Sequence, residues 1–538
     1  MNPIQLTRQL QEALVNYLLT TFDVNRDGTQ AELANAMRFA FETPGALFNG
    51  PFLELTPPYV SGKTLLDLVN ENILSPRLLQ LNCFKQGKPL PVDVPLYAHQ
   101  EAAIRKITGE GRSVVVSSGT GSGKTESFLI PILNDLLVDP TPGVRAVLIY
   151  PLNALVNDQL DRLRELLSDT DILFGRYTSE LLQKTSDARE QLKGINVPEN
   201  EVISRDEIRK EGRIPQILIT NYAMLEYLLL RPEDSPLFNS GAWRFVVLDE
   251  AHIYSGAKGI EVSMLLRRLK LRLNKQLGDM RCIATSATLI NDKPQQAVEF
   301  ASHLFGENFV ETDIIFGQPD KSALLLGSDD EFTPDAMSYL DYNVSTLLQS
   351  LASDQPLTTA EAAKYLLDAG VITAEDHQNS SESITVSTFL YRALSRNTHL
   401  NRLRRWLLTE NDDAPVSVED AANILFTNTE LRLEKERLDA LYHLIELGAQ
   451  ARLSDDAPPL LPARYHLFAR PPQGMWVCIN PTCPGRDPEQ HTLWSKLYTA
   501  PRTTCDACNC AVFPLAVCRT CGQVYLVGGQ DIDGRLLS

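Results

Sequence analysis

Apolar residues along this chain follow two rhythms, and each predicts its own kind of element. At the start, Leu6, Leu10, Leu14 and Leu18 recur at every fourth position, which is one face of a helix. Between residues 91 and 310 the apolar residues gather into short runs: Ser113–Val116, Ala146–Tyr150, Ile217–Ile219, Phe245–Leu248 and Cys282–Ala284. A strand that is apolar at every position is buried on both faces. Such strands alternating with helical stretches predict an α/β fold, a parallel sheet with helices on both faces. Reactive residues should then lie at the carboxyl ends of the strands. Beyond residue 320 the strand signal fades, and Tyr365–Ile372, 387–408 and 429–447 read as helices. The proline-rich Ala457–Pro462 marks a boundary. The predicted organisation is an accessory region over 1–90 with a helical start, a sheet domain over 91–320, a mostly helical region over 321–462, a cysteine-rich module over 463–526 and a terminus over 527–538.

Composition adds little to this division, but charge does. The formal net charge is −18. Residues 321–460 carry 23 Asp and Glu against 11 Lys and Arg, a net of −12, which leaves −6 for the other 398 residues. The helical region is the acidic one, so bulk charge does not decide the partner: a basic groove elsewhere can still bind nucleic acid. No run reaches 18 apolar residues, which speaks against a membrane span. The start, Met1-Asn2-Pro3-Ile4-Gln5, has no basic stretch before an apolar one, so the expected compartment is the cytoplasm.

The chemistry begins at Ser118-Gly119-Thr120-Gly121-Ser122-Gly123-Lys124-Thr125. It follows the Val114–Val116 run and precedes an apolar helix, the strand–loop–helix setting of a phosphate-binding loop. Small residues let backbone amides close around phosphates at a helix N-terminus. Lys124 is expected to reach the β and γ phosphates of ATP, and Thr125 to ligate magnesium. Asp249-Glu250-Ala251-His252 follows the Phe245–Leu248 run. There Asp249 would hold the magnesium ion, and Glu250 would orient and deprotonate the attacking water. His252 is read as a coupling residue toward Thr285-Ser286-Ala287-Thr288, where Ser286 and Thr288 would link the acidic pair to a neighbouring domain.

Weaker sites surround these. In Tyr97-Ala98-His99-Gln100 the Gln100 amide can donate to and accept from an adenine edge. Pro151 and Asn153 follow a strand run, and Arg176, Thr178, Thr220 and Asn221 take comparable positions, so these six are candidate nucleic-acid contacts. Arg267, Arg268, Lys270, Arg272 and Lys275 lie on the helix after the acidic pair. They would either line a nucleic-acid path or lie along an amphipathic helix whose Met264, Leu265 and Leu269 face the core. Asp23–Thr29 resembles the start of a calcium loop, but its twelfth position is Ala34, where a bidentate Glu is needed. A polar turn at Gly28 is the reading kept.

Seven of the nine cysteines fall within 478–521; only Cys83 and Cys282 lie outside, as expected packing residues. Clustering of this kind reads as metal binding. Cys505-x2-Cys508 and Cys518-x2-Cys521 make the simplest zinc site. A second arrangement joins Cys478 and Cys483 to Cys505 and Cys508 and leaves Cys518 and Cys521 to other ligands such as Cys510. Thiolate count also leaves an iron–sulfur cluster open.

Gln100, Ser118–Thr125, Tyr150–Leu155, Asp249–His252 and Ser286–Thr288 resemble, in order and spacing, the Q motif and motifs I, Ia, II and III of superfamily 2 DEAD/DEAH-box helicases. The resemblance implies a RecA-like fold near residues 90–310, the first lobe of an ATP-driven motor on nucleic acid. Asp249–Gly256 with Leu266–Leu269, and Arg464–Phe468 before Cys478, are similar to large bacterial helicases that carry a cysteine-rich zinc module. That group includes a DNA-repair branch and the helicase subunit of Druantia-type anti-phage systems, which implies DNA as substrate and defence or repair proteins as partners. Such motors also need a second RecA-like domain. No Gln-x-x-Gly-Arg-x-x-Arg-like segment follows residue 310, so the second lobe is expected beyond residue 538 or from another chain. The rival reading is a nucleotide-gated binding or scaffold module without unwinding. A protease or nuclease has no support; no His-Glu-x-x-His occurs.

Overall fold

A computed structural model describes residues 3–22, 31–43, 45–81, 92–119, 121–287, 294–322, 332–353, 357–380, 384–410, 415–426, 429–454, 457–486, 494–518, 523–530 and 536–537. Cys83 and the calcium-like stretch 23–29 lie outside them. The chain forms two compact units: Tyr59–Asp320, and Met1–Pro58 together with Lys321–Ser538. The sequence division at 90/91 therefore falls inside the first unit, not at its edge.

The first unit is built on eight parallel strands. From edge to edge they are Ile314–Phe316, Val114–Ser117, Arg281–Ser286, Phe245–Leu248, Ala146–Ile149, Ile217–Thr220, Phe174–Tyr177 and Glu201–Val202. Every position in the central runs is buried because the pleat sends alternate side chains to opposite faces. Val114, Val116, Ala146, Leu148, Phe245 and Val247 meet the helices Lys124–Val138 and Asn153–Leu167 on one side. Val115, Val147, Ile149, Val246 and Leu248 meet Tyr222–Leu230, Gly256–Arg272 and Pro294–Phe305 on the other. At the amino end of the sheet the fully buried Arg145 is clasped by Asp135 (2.6 Å) and Asp139 (3.1 Å). The five predicted strand runs are present. The other three strands, Phe174–Tyr177, Glu201–Val202 and Ile314–Phe316, were not among the predicted runs; the last two are too short to read.

The second unit has a helical core formed by Tyr342–Leu351, Thr359–Asp368, Val386–Leu394, Thr398–Arg405, Val418–Phe426 and Glu434–Gln450. Four of its acidic residues, Asp335, Asp341, Glu361 and Asp376, cap helix starts, where a carboxylate suits the free amides and the dipole. The stretch 387–408, read as one helix, is broken at Asn397, which caps a second helix by accepting from Leu400 N. The proline-rich 457–462 is not a boundary in space. Leu460 and Leu461 are buried in this core, and the next strand, Ala463–Ala469, pairs antiparallel with Phe48–Leu55. The helices Pro3–Thr21 and Ala31–Glu42 bury Val15, Leu18, Leu33, Met37 and Phe41 with Met475, Val477 and Leu497 of the cysteine module. The two ends of the chain thus share one core. Leu6 and Leu10 of the predicted stripe stay exposed, while Val15 and Leu19 supply the buried face.

Candidate active site and metal centre

The segment 118–125 turns sharply between its strand and the helix Lys124–Val138. Gly121 (φ +76°) and Gly123 (φ +66°) make the turn in the left-handed region, which L side chains avoid. Gly123 has a second reason to lack a side chain: a Cβ there would lie 2.3 Å from Gln100 Nε2. Ser122 Oγ donates to Gly119 O (2.8 Å) and lies 2.6 Å from Ser118 Oγ. Thr120 lies outside the described residues. Lys124 Nζ donates to Ser118 O (2.9 Å) and stands 4.0 Å from Glu250 Oε1. Burial pushes the Lys124 ammonium below the usual lysine range, and Glu250 and Asp249 partly restore it.

The acidic pair approaches from the strand Phe245–Leu248. Asp249 accepts from Thr285 Oγ1, and the same hydroxyl accepts from Glu250 N (3.4 Å). Glu250 adopts a left-handed backbone (φ +50°, ψ +47°). A non-glycine residue there stores about 1–2 kcal/mol of strain. His252 Nδ1 lies 3.3 Å from Glu250 Oε2 and 3.2 Å from Ser286 Oγ. The hydroxyl that touches Asp249 is Thr285, to which the sequence reading gave no role; Thr288 lies outside the described residues. Lysine, carboxylates and the half-buried Thr125 hydroxyl together offer hard oxygen donors beside a cation. That donor set suits magnesium and a triphosphate, and it could orient a water for in-line attack.

Gln100 is buried, and both ends of its amide are engaged inside the unit. Oε1 accepts from Tyr97 N (2.7 Å) and Nε2 donates to Gly123 O (2.9 Å). It therefore props the phosphate loop as well as standing near it. His99 props the same turn through Nε2 and Ser122 O (3.0 Å), and burial holds its pKa below the ordinary histidine value. Tyr59, with no signal in the sequence, packs on Tyr97 and His99 (ring centroids 5.5 and 5.1 Å).

Among the expected nucleic-acid contacts, Asn221 Nδ2 donates to Asn153 Oδ1 (2.9 Å), so the strand ends at 149 and 220 present one polar pair beside the half-buried Pro151. Arg176 is held by Asn157 and by Glu180 (3.6 Å). Thr178 and Thr220 do not reach this surface. Both are fully buried, and Thr220 Oγ1 donates to Tyr177 O (2.6 Å). Of the basic residues on and just after the helix Gly256–Arg272, only Lys270 is buried, while Arg268 and Arg272 are exposed and make surface contacts. Lys270 donates to Phe305 O (2.8 Å), Arg272 to Ser235 Oγ (2.7 Å) and Lys275 to Gly241 O (3.2 Å), while Arg268 pairs with Glu226 (2.9 Å). Leu265 and Leu269 face the core as the packing reading expects, but Met264 is 58% exposed and does not.

In the cysteine module, strands Leu497–Tyr498, Trp476–Cys478, Val512–Val517 and Val524–Leu526 form an antiparallel sheet. Cys478, Cys483, Cys505 and Cys508 converge, with all four sulfurs within 4.8 Å of one another. A tetrahedral zinc with Zn–S near 2.3 Å spaces its thiolates about 3.8 Å apart, and the measured Cys478–Cys508 and Cys483–Cys505 separations are 3.5 and 3.6 Å. The four sulfurs therefore fit a metal ion. This corrects the simplest expected set: Cys505 and Cys508 join Cys478 and Cys483, Cys518 and Cys510 are not in the group, and Cys521 lies outside the described residues. Asn509, in the left-handed region (φ +58°), lets the turn double back so that Cys505 N donates to Cys510 O (2.8 Å). The Cys510 amide brings the Cys508 thiol down to about 6, whereas burial pushes Cys478 up to about 12. Cys282 is fully buried, its thiol also pushed up to about 12 by burial, and it packs as expected. Among the described residues no helix is long and apolar enough to cross a membrane.

Residues 97–297 match the DEAD/DEAH box helicase family, and residues 497–538 match the YjiV N-terminal domain. The chain is similar to the Druantia protein DruE of Escherichia coli (strain UMEA 4076-1), 29% identical over 649 residues, taking in 97% of this chain and 33% of that protein. It is also similar to the uncharacterized ATP-dependent helicase YprA of Bacillus subtilis (strain 168), 31% identical, over 37% of this chain and 23% of that one. The chain thus spans a third or less of the length of these relatives. Among solved structures, the DUF1998 helicase MrfA bound to DNA is 19% identical, with a TM-score of 0.37, covering 69% of this chain and 49% of that one.

Proposed function

We infer that this chain, whose residues 97–297 form a DEAD/DEAH box helicase domain, is the first motor lobe of an ATP-dependent DNA helicase or translocase. The observation that carries the reading is the approach of Lys124 Nζ to Glu250 Oε1 at 4.0 Å. It joins the phosphate loop after one strand to the acidic pair after another. In this reading the loop amides and Lys124 hold the triphosphate. Thr125 and Asp249 would hold magnesium, which would neutralise phosphate charge, and Glu250 would take a proton from the attacking water. His252 and Ser286 would couple the acidic pair to a neighbouring domain. Pro151, Asn153, Asn221 and Arg176 lie at the strand ends where that strand would run. DNA, and a role in anti-phage defence or repair in the cytoplasm alongside partner proteins, follow from the likeness to the cysteine-rich bacterial helicases. The similarity to the Druantia protein along 97% of this chain supports it. A second RecA-like lobe, in cis or in trans, would complete the ATP site. Zinc is the metal proposed for Cys478, Cys483, Cys505 and Cys508; an all-thiolate set leaves no open position and fits a structural role.

The test is Glu250→Gln in the full-length, metal-loaded protein. The expected result is retained ATP binding with DNA-stimulated phosphate release reduced about 100-fold or more. Absence of any DNA-stimulated release from the unsubstituted protein would overturn the motor reading in favour of a nucleotide-gated binding module.

A further inference from the structure

The chain passes between its two units twice, at Pro58–Tyr59 and at Asp320–Lys321. Both passages leave the ATP-binding unit from one spot. Val60 N donates to Gln318 O (2.9 Å), and Tyr59 bridges antiparallel to Pro319. The pair stands directly on the phosphate loop. Gly317 N donates to Ser117 O (2.7 Å), the residue before the loop. Gly317 is packed so closely that a Cβ would lie 2.6 Å from Ser118 Cβ and 2.8 Å from Tyr59 Cε1. From the other strand of the pair, the Tyr59 hydroxyl accepts from Gly119 N (2.8 Å).

We propose that Tyr59 is a positioning residue that ties occupancy of the phosphate loop to the paired segments 59–60 and 317–319, the joint from which the chain leaves for its other unit. This rests on the reading of 118–125 as the ATP site. With the loop as it stands, Lys124 Nζ is shared between Ser118 O and Gly119 O (2.9 and 3.5 Å). A triphosphate competes for that ammonium and for the loop amides. When Lys124 turns to phosphate, the carbonyls of residues 118 and 119 lose their charged donor and the peptide between them readjusts. Gly119 N is part of that peptide, and its bond to Tyr59 passes the readjustment to the joint. The Tyr59 ring, packed on Tyr97 and His99, keeps the hydroxyl from simply following the loop.

The experiment is hydrogen–deuterium exchange on the full chain, with and without a non-hydrolysable ATP analogue and magnesium, for the unsubstituted protein, Tyr59→Phe and Tyr59→Ala. A fluorescent ATP analogue measures affinity in parallel. In the unsubstituted protein, nucleotide is expected to change exchange in peptides covering 114–125 and also in those covering 56–62 and 314–321. The joint peptides should change about fivefold, the weight of one net hydrogen bond. In Tyr59→Phe, which keeps the ring, the 114–125 response stays and the joint response is lost. Tyr59→Ala should also lose it, with faster exchange in both states. A joint that responds in Tyr59→Phe as in the unsubstituted protein would overturn the proposal. So would an unsubstituted joint that is silent while 114–125 responds. If neither region responds and the analogue does not bind, the ATP-site reading itself fails, and the coupling falls with it.

Discussion

If the four clustered thiols hold a metal, stripping it should unfold the N-terminal helices, which lie more than 400 residues away in sequence. The four thiols sit at the end of a small sheet whose strands have 3, 2, 6 and 3 residues. Such a sheet has little stability of its own, and a structural metal contributes folding free energy directly. Met475 and Val477 lie within three residues of Cys478, and with Leu497 they are 4, 4 and 7% exposed, buried against Val15, Leu33, Met37 and Phe41. Each such side chain contributes about 1.5–3 kcal/mol by burial, so the three together can hold the helices by at most roughly 5–9 kcal/mol. That is comparable to the whole stability of an ordinary domain. Cys505→Ser, or a strong chelator at neutral pH, should therefore open 3–47 together with 475–517. Limited proteolysis read by mass spectrometry should show cleavage in both segments at least about tenfold faster, with the sheet domain's 114–286 still protected. If 475–517 is cut while 3–47 stays protected, the shared core is not what holds the N-terminal helices.

Three further outcomes are expected. Gly123→Ala forces a left-handed alanine, about 1–2 kcal/mol of strain, and sets its Cβ 2.3 Å from Gln100 Nε2. Nucleotide affinity should fall about tenfold, and a fluorescent-nucleotide titration within twofold of the parent would contradict this. Arg145→Leu removes charge-assisted bonds to Asp135 and Asp139, which keep Arg244, costing about 2 kcal/mol, so the melting temperature of the unit Tyr59–Asp320 should drop by about 4–8 °C; an unchanged melting curve would refute it. His99 has a pKa depressed by burial, so below pH 6.5 the unfolded chain takes up a proton that the folded one refuses. Stability is then unaffected by this group above pH 6.5. It falls as pH drops below that, by at most about 1.4 kcal/mol per pH unit, until the folded pKa is passed. His99→Gln should flatten thermal stability between pH 6.5 and 5, and an identical slope would exclude His99 as the cause.

Local chemistry made the candidate nucleotide site readable from sequence. The turn at 118–125 needs small residues in consecutive positions, and the acidic pair follows directly on its strand, so each half of the site is contiguous. The buried runs from Val114 to Ala284 were legible for the same reason: a parallel strand covered on both faces carries its environment in its own residues. The Asn397 break was harder to see, because leucines on both sides kept the apolar spacing while a side-chain cap ended one helix and began another.

Other features depended on what came to lie opposite. Apolar periodicity says that a face is buried but not against which partner. Nothing near Val15 foretells Met475, nor near Leu53 the register with Tyr465. Seven clustered cysteines announced a metal, yet only the antiparallel pairing of Trp476–Cys478 with Val512–Val517 brought Cys478 and Cys483 to Cys505 and Cys508. Thr178 and Thr220 have the residue type for a phosphate contact, but the sheet buries them. Tyr59 has no motif around it, and only the fold sets its hydroxyl against Gly119 N. The sequence alone thus determined the groups that act within one turn or one strand end. The tertiary structure decided every pairing across long separations, because those contacts depend on chain topology, which residue type and spacing do not encode.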